Sequence, residues 1–416
     1  MIVIISKDFG NVRKGAEKNT MNKERLINCI RRARNGEELT IAFFGGSITQ
    51  GSLADKPEEM YARRVFSWWE KTFPQATFHY VNGGIGGTTS HYGVSRVVTD
   101  LLMYQPDFVV VDFSVNDEPE VFFQETYEGL IRKILSWDSE PAILLLNNVF
   151  YDSGKNAQNL HNEIGDYYGI PHVSIKESIY ADMKVGKYTR EQLTPDGLHP
   201  NSFGHGLVAQ QIINYLEKVK AFTDKEVEAI KSFDGEDADK TMIHFTDSKI
   251  KNKSDDEKSL PVSLTSNTYE NTKRFTIREI SPELNGFLPD TREKKGMLDH
   301  FKNGWIGKRA GDSITFTLEA SNIAIQYRKT IDRPALQAKL VLDGEADKAI
   351  ILDGNFDEDW GDCLWLEPIL HHGEKKIHTV EITILEEEKS EINKKESAVE
   401  NETPFYLLSV IGDFTN

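Results

Sequence analysis

Asp196 and His199 stand three residues apart in the segment Thr194-Pro-Asp-Gly-Leu-His-Pro200, a spacing that lets a carboxylate and an imidazole turn to the same side of one short loop. Pro200 biases His199 toward an extended backbone. Such a pair can serve as a base with its orienting partner, and the group it would activate is a hydroxyl, which near neutral pH is a poor nucleophile unless a base removes its proton. Ser47 is the candidate. It follows Gly45-Gly46 at the end of the apolar run Leu39 to Phe44, and glycine permits the positive φ and close approach that present a side chain at the end of a strand. The segment lacks the lysine of a phosphate-binding loop and is not the Gly-x-Ser-x-Gly elbow, since Ile48-Thr49 follows the serine.

Acyl transfer also needs donors for the developing oxyanion. Three strand ends offer them in order: the amide of Ser47, the amide of Gly84 in Asn82-Gly-Gly-Ile-Gly-Gly-Thr88, and the side-chain amide of Asn116 in Ser114-Val-Asn-Asp117. The elements that must position these residues are alternating strands and helices. Apolar runs at Leu39 to Phe44, Ala76 to Val81, Phe108 to Phe113, Ala142 to Asn147 and His172 to Ile175 read as strands. Segments near 22–34, 58–71, 90–103, 121–137, 156–168 and 201–220 read as helices. In the last of these, Phe203, Leu207, Ile213 and Leu216 are expected to face inward, and Trp68 and Trp69 to belong to a core stripe. This alternation predicts right-handed βαβ units and a parallel, doubly wound α/β sheet whose carboxyl edge collects Ser47, Gly84 and Asn116.

Four blocks, Gly-Gly-Ser-Ile-Thr, Asn-Gly-Gly-Ile-Gly-Gly-Thr, Ser-Val-Asn-Asp and Asp-Gly-Leu-His-Pro, occur in this order within residues 37–221 and resemble those of the SGNH (GDSL-like) hydrolase family. The resemblance implies a flavodoxin-like parallel sheet with helices on both faces. It also implies a serine nucleophile at Ser47, a base His199 with Asp196, and an oxyanion hole of Ser47, Gly84 and Asn116. Gly46 stands where that family usually has Asp, and Ser114 where Gly is usual. The Gly-Gly-Ser-Ile-Thr variant is similar to that of carbohydrate esterases that remove acetyl groups from plant polysaccharides such as xylan and mannan. An acetylated oligosaccharide is therefore the expected substrate. A lipase- or thioesterase-type member acting on longer acyl chains, or a carbohydrate-binding protein without activity, is the alternative.

The rest of the chain differs in period. Residues 222–262 are polar, with the charged run Lys249 to Lys258, and read as a linker after an N-terminal extension (1–36) and an esterase domain (37–221). Beyond them Ile314-Phe316-Leu318, Ile323-Ile325-Tyr327, Leu340-Leu342 and Val380-Ile382-Ile384 alternate with polar residues, and Asp343-Gly344 is a turn signal. Residues 263–416 are thus expected to be an all-β sandwich, similar to jelly-roll or carbohydrate-binding modules attached to such esterases. Its Trp360 and Trp365, in an acidic glycine-containing segment, are candidate sugar-stacking residues.

A net charge of −17 over 416 residues argues against nucleic acid and anionic membrane surfaces as partners. The cysteines, Cys29 and Cys363, have no metal or redox spacing, and the apolar start of the chain is too short for a membrane span or signal peptide, so a cytoplasmic location is expected. Asp353, Asn355 and Asp357 alternate as in a calcium loop, but Glu358 stands at the glycine position and Leu364 at that of the bidentate Glu. His371-His372 reads as a surface turn, and neither a metal nor a cofactor is expected.

Overall fold

The structure is a computed structural model and describes residues 21–233, 260–296, 299–358, 360–386 and 402–413. Its described residues divide into two compact units, 21–90 with 97–267 and 91–96 with 268–413. In the first unit five strands, β1 (Glu38–Gly45), β2 (Thr77–Gly84), β3 (Phe108–Asp112), β4 (Ala142–Asn147) and β5 (His172–Ser174), form a parallel sheet in the order β2-β1-β3-β4-β5. Every residue of β3 and β4 is buried, as a strand covered by helices on both faces demands. The helices are α1 (Met21–Arg34), the single turn α2 (Ser47–Gln50), α3 (Tyr61–Thr72), α4 (Ser90–Asp100), α5 (Val121–Leu135), α6 (Gln158–Tyr168), the short α7 (Ala181–Lys184) and α8 (Arg190–Leu193), and α9 (Ser202–Phe233).

The strand order reverses at β1, which has β2 on one side and β3 on the other. Gly45 is in register with Gly84 and with Asp112. Loops leaving β1 and β3 therefore diverge, and a crevice opens at their carboxyl ends, the usual ligand position of such sheets. Ser47 and Asn116 lie on those two loops.

Two features of this unit correct the expected boundaries. Helix α1 is no extension: Leu26, Ile30 and Ala33 are fully buried in the core. The Asn22 side chain donates to the Ile143 carbonyl (2.8 Å) and accepts from its amide (2.7 Å). Those groups of β4 lie before the point where β5 begins pairing at Leu145, so without Asn22 they would be buried and unpaired. At the other end α9 continues to Phe233, and Leu264 and Thr265 donate their amides to the buried Glu128 carboxylate at 2.6 and 2.7 Å, which places 260–267 with the first unit. The charged run 249–258 lies outside the described residues.

Trp69 is fully buried, and Trp68 packs beside it while its Nε1–H donates to Glu217 Oε1 of α9 at 2.7 Å. The inward face of α9 keeps the expected Leu216, with Leu207 and Ile213 half-buried against the core, and departs from expectation at Phe203. Val208, Ala209, Ile212 and Leu216 are in the core, whereas Phe203 is 50% exposed with its ring edge-on to Tyr188 at 5.9 Å. Phe203, the second residue of the helix, precedes the stretch from Val208 that enters the core.

The second unit is the expected antiparallel β structure. One sheet orders Ile350–Asp353, Gln337–Leu342, Lys376–Ile384, Ser313–Ala320 and Glu283–Asn285; the other orders Cys363–Leu370, Ile323–Lys329, Phe405–Gly412, Trp305–Gly307 and Leu288–Pro289. Alternate residues Ile314, Phe316, Leu318, Leu340, Val380 and Ile382 enter a core shared with Ile325, Tyr327, Leu407 and Val410 of the second sheet. Phe405–Gly412 is buried at every position and so carries no alternation that would have marked it as a strand.

Candidate active site

The turn that carries Ser47 is built by close backbone approach. After Gly45 the Gly46 amide donates to the Asp112 carbonyl at 3.3 Å, and α2 begins at Ser47. A Cβ on Gly45 would lie 2.3 Å from the Asp112 carbonyl oxygen, so only glycine lets β1 turn this tightly against the end of β3.

Ser47 and His199, 152 residues apart, meet with Ser47 Oγ 2.8 Å from His199 Nε2. On the other side of the ring His199 Nδ1 lies 2.6 Å from Asp196 Oδ2. A carboxylate only accepts, so Nδ1 carries the proton and Nε2 is left to accept from the serine hydroxyl. Asp196 Oδ1 in turn accepts from Thr194 Oγ1 (3.0 Å) and from the amides of Leu198 (2.9 Å) and His199 (2.8 Å). Partial burial pushes the Asp196 carboxyl up, but the bond from His199 and the two amides outweigh it and hold the group at about 2. The three expected residues thus form one hydrogen-bonded chain.

Asn116 leaves β3 in a tight turn, its amide donating to the Phe113 carbonyl at 3.0 Å, and its side chain lies against Gly46 beside the nucleophile. Gly84 does not keep the expected role, because its amide donates to Asn82 Oδ1 at 2.9 Å. What position 84 requires is space: a Cβ there would come within 2.3 Å of the Gln50 amide nitrogen, so Gly84 is bare to let the α2 turn pack on β2. The sequence carried a signal for this, since an Asn side chain commonly bonds the backbone two residues on. Gly86 lies close to Ser47, 3.7 Å from an added Cβ to Ser47 Cβ, but its amide donates to Gln50 Oε1 at 2.6 Å. Gly87 comes next, in the left-handed region at φ 67°.

Asp117, beside Asn116, was not singled out from the sequence. It is buried, accepts from the Ser90 amide at 2.8 Å and lies 3.0 Å from His161 Nε2, while His161 stacks on Tyr127 at 3.7 Å. Its work is to tie the Asn116 loop to the start of α4 and to α6.

In the second unit Trp360 and Trp365 are 52% and 38% exposed and so are not sandwich core. Trp365 donates to Glu367 Oε2 at 3.0 Å with Lys329 Nζ 4.1 Å above its ring, and Trp360 donates to Glu358. In the segment that resembled a calcium loop, Asn355 spends its side-chain amide on the Ala335 carbonyl (3.1 Å) and Asp353 (2.8 Å), and Asp357 pairs with Arg333 at 3.1 Å. No helix among the described residues is long and apolar enough to cross a membrane.

Residues 43–207 match the model of the GDSL-like lipase/acylhydrolase family. Over 93% of its length the chain is similar to a two-domain esterase active on acetylated mannans, solved with mannopentaose, at 44% identity and a TM-score of 0.80, covering 94% of that protein. A second structure of such an esterase, without that ligand in its description, gives 45% identity over the same shares at a TM-score of 0.80. An arylesterase of Vibrio mimicus is 22% identical over 214 residues, 46% of this chain and 95% of that protein.

Proposed function

We propose, for a chain that belongs to the GDSL-like (SGNH) lipase/acylhydrolase family and is a carboxylic ester hydrolase, that it removes O-acetyl groups from mannan- or xylan-type oligosaccharides through an acyl-enzyme. The observation that carries the mechanism is the unbroken chain Ser47 Oγ, His199, Asp196 at 2.8 and 2.6 Å. In this reading Ser47 Oγ attacks the acetyl carbonyl as its proton passes to His199 Nε2. The tetrahedral oxyanion is met by the Ser47 amide and the Asn116 side-chain amide. Collapse returns the proton from His199 to the leaving sugar hydroxyl, leaving acetyl-Ser47. Water then attacks the acyl carbon as its proton passes to His199, and collapse breaks the bond to Ser47 Oγ, which takes the proton back from His199 as acetate leaves. Asp196 holds the imidazole tautomer and stabilises its cationic form throughout.

The choice of acetyl over longer chains and of a mannan-type sugar is supported by the two-domain esterase active on acetylated mannans, to which nearly the whole chain is similar. Trp360 and Trp365, exposed on the second unit, are proposed to stack on sugar rings. A cytoplasmic location is supported by Cys29 and Cys363, both free and buried. The test compares initial rates on acetyl, butyryl and octanoyl p-nitrophenyl esters with those on acetylated manno- and xylo-oligosaccharides. Acetyl preference with turnover of an oligosaccharide is expected. Preference for octanoyl esters replaces the reading with a lipase-type one, and oligosaccharide binding without turnover of any ester replaces it with a binding protein.

A further inference from the structure

Under the nucleophile turn lies a buried acid that takes no part in the hydrogen-bonded chain just described. Asp112 ends β3 opposite Gly45 of β1 and is shut off from solvent. Its side-chain Oδ2 accepts from Thr49 Oγ1 at 3.2 Å and from Asn148 Nδ2 at 2.8 Å, while its backbone carbonyl accepts from the Gly46 amide at 3.3 Å. One residue therefore holds both flanks of Ser47, the residue before it and the residue two after it.

The choice of an acid here needs a reason other than stability. Oδ1 has no hydrogen-bond partner among the described residues. Burial pushes the carboxyl up to about 7, against the opposing bonds from Asn148 and Thr49. An apolar side chain would carry neither cost, at the expense of stranding the Asn148 amide donor. What it would not do is orient Thr49. The Thr49 hydroxyl also lies 2.8 Å from Tyr61 OH, and with a single proton it can donate to only one neighbour. An acceptor at Asp112 draws that proton, so that Tyr61 donates to Thr49 and Thr49 to Asp112 in a directed chain. Gly45 is part of the same fit, because a Cβ there would lie 2.5 Å from Thr49 Oγ1.

We propose that Asp112 is a positioning residue for acyl transfer: by accepting from Thr49 and Gly46 it fixes the turn that aims Ser47 Oγ at His199 Nε2. The inference rests on Ser47 being the nucleophile. Small displacements of a reacting group cost large factors in rate, so Asp112→Leu is expected to lower kcat on p-nitrophenyl acetate by about tenfold or more, with KM within about twofold. Asp112→Asn, which keeps an acceptor oxygen, is expected to retain kcat within about threefold, and Thr49→Val to lose part of what Asp112→Leu loses. The double variant is expected to be no worse than Asp112→Leu alone, as for two residues acting through one link.

Wild-type kcat in Asp112→Leu overturns the proposal, as does an equal loss in Asp112→Leu and Asp112→Asn. Should Asp112→Leu fail to fold, Thr49→Val decides: unchanged kcat in the folded variant overturns it. Ser47→Ala is assayed in parallel. Full activity there removes the serine mechanism itself, whereas an inactive Ser47→Ala beside a fully active Asp112→Leu removes only the role of Asp112.

Discussion

Gly46 leaves open the space that the Asn116 side chain fills: a Cβ on Gly46 would lie 2.2 Å from Asn116 Oδ1. The Asn116 amide comes up beside Ser47 because the residue before the nucleophile is bare.

Gly46→Ala is accordingly expected to push Asn116 aside and Asn116→Ala to remove it, both lowering kcat on p-nitrophenyl acetate. For Asn116→Ala the loss is expected to be roughly 10²–10³ with little change in KM, since an oxyanion donor is used in the transition state. An effect confined to KM would make Asn116 a substrate-binding residue, and an unaltered Gly46→Ala would show that Asn116 has room to relax.

Removing the nucleophile tests the relay. Ser47→Ala is expected to cost on the order of 10⁶ in kcat while leaving the melting temperature near that of the wild type. Asp196→Asn is expected to be less damaging than His199→Ala, because Asp196 orients the ring and His199 moves the proton. Equal losses would argue for a more direct part for the carboxylate.

With Asp196 held at about 2, it stays ionised across the range in which the enzyme is assayed. Protonation of Asp196 is therefore expected not to limit kcat/KM in that range, and an acid loss belongs to the group that accepts the Ser47 proton. The check is a profile from pH 4 to 9, and a flat one would assign the base elsewhere.

Asp112 makes a separate prediction about stability. Its folded carboxyl titrates near 7 against an ordinary 3.8, so between those values the folded protein holds a proton that the unfolded chain has released. Stability of the wild type therefore falls as pH rises through that window and levels off above it. Asp112→Asn lacks this loss. Its stability relative to wild type is expected to improve between pH 5 and 8 by on the order of 2 kcal/mol, at about 1.4 per unit. Denaturant unfolding at the two pH values reads it, and a difference independent of pH would refute it.

For the second unit, Trp360→Ala or Trp365→Ala is expected to reduce kcat/KM on acetylated oligosaccharides by roughly 1–3 kcal/mol, the worth of an aromatic stacking contact, while sparing p-nitrophenyl acetate. Equal losses on both substrates would assign the tryptophans to support of the fold.

Much of this protein is written locally. The buried strands Phe108–Asp112 and Ala142–Asn147 announce themselves as unbroken apolar runs, and the alternating residues of the second unit as half-buried strands, because backbone geometry alone fixes those periods. Asp196 and His199 are paired by a spacing of three, and Ser47 is marked by the two glycines that end the strand before it, so these residues too could be read one segment at a time. What the tertiary structure decided are the bonds that depend on which strands become neighbours and in what register. The alignment of Gly45 with both Gly84 and Asp112 determines that Gly84 must be bare for packing and that Asp112 meets Thr49. In the same way Asn22 finds Ile143 across 121 residues because β5 starts too late to pair with it, and Phe203 is left outside because the stretch of α9 that enters the core begins at Val208. No pattern within a single segment encodes these contacts: side-chain to backbone bonding at such separations is set by the assembled sheet and by the need to pair every polar group it buries.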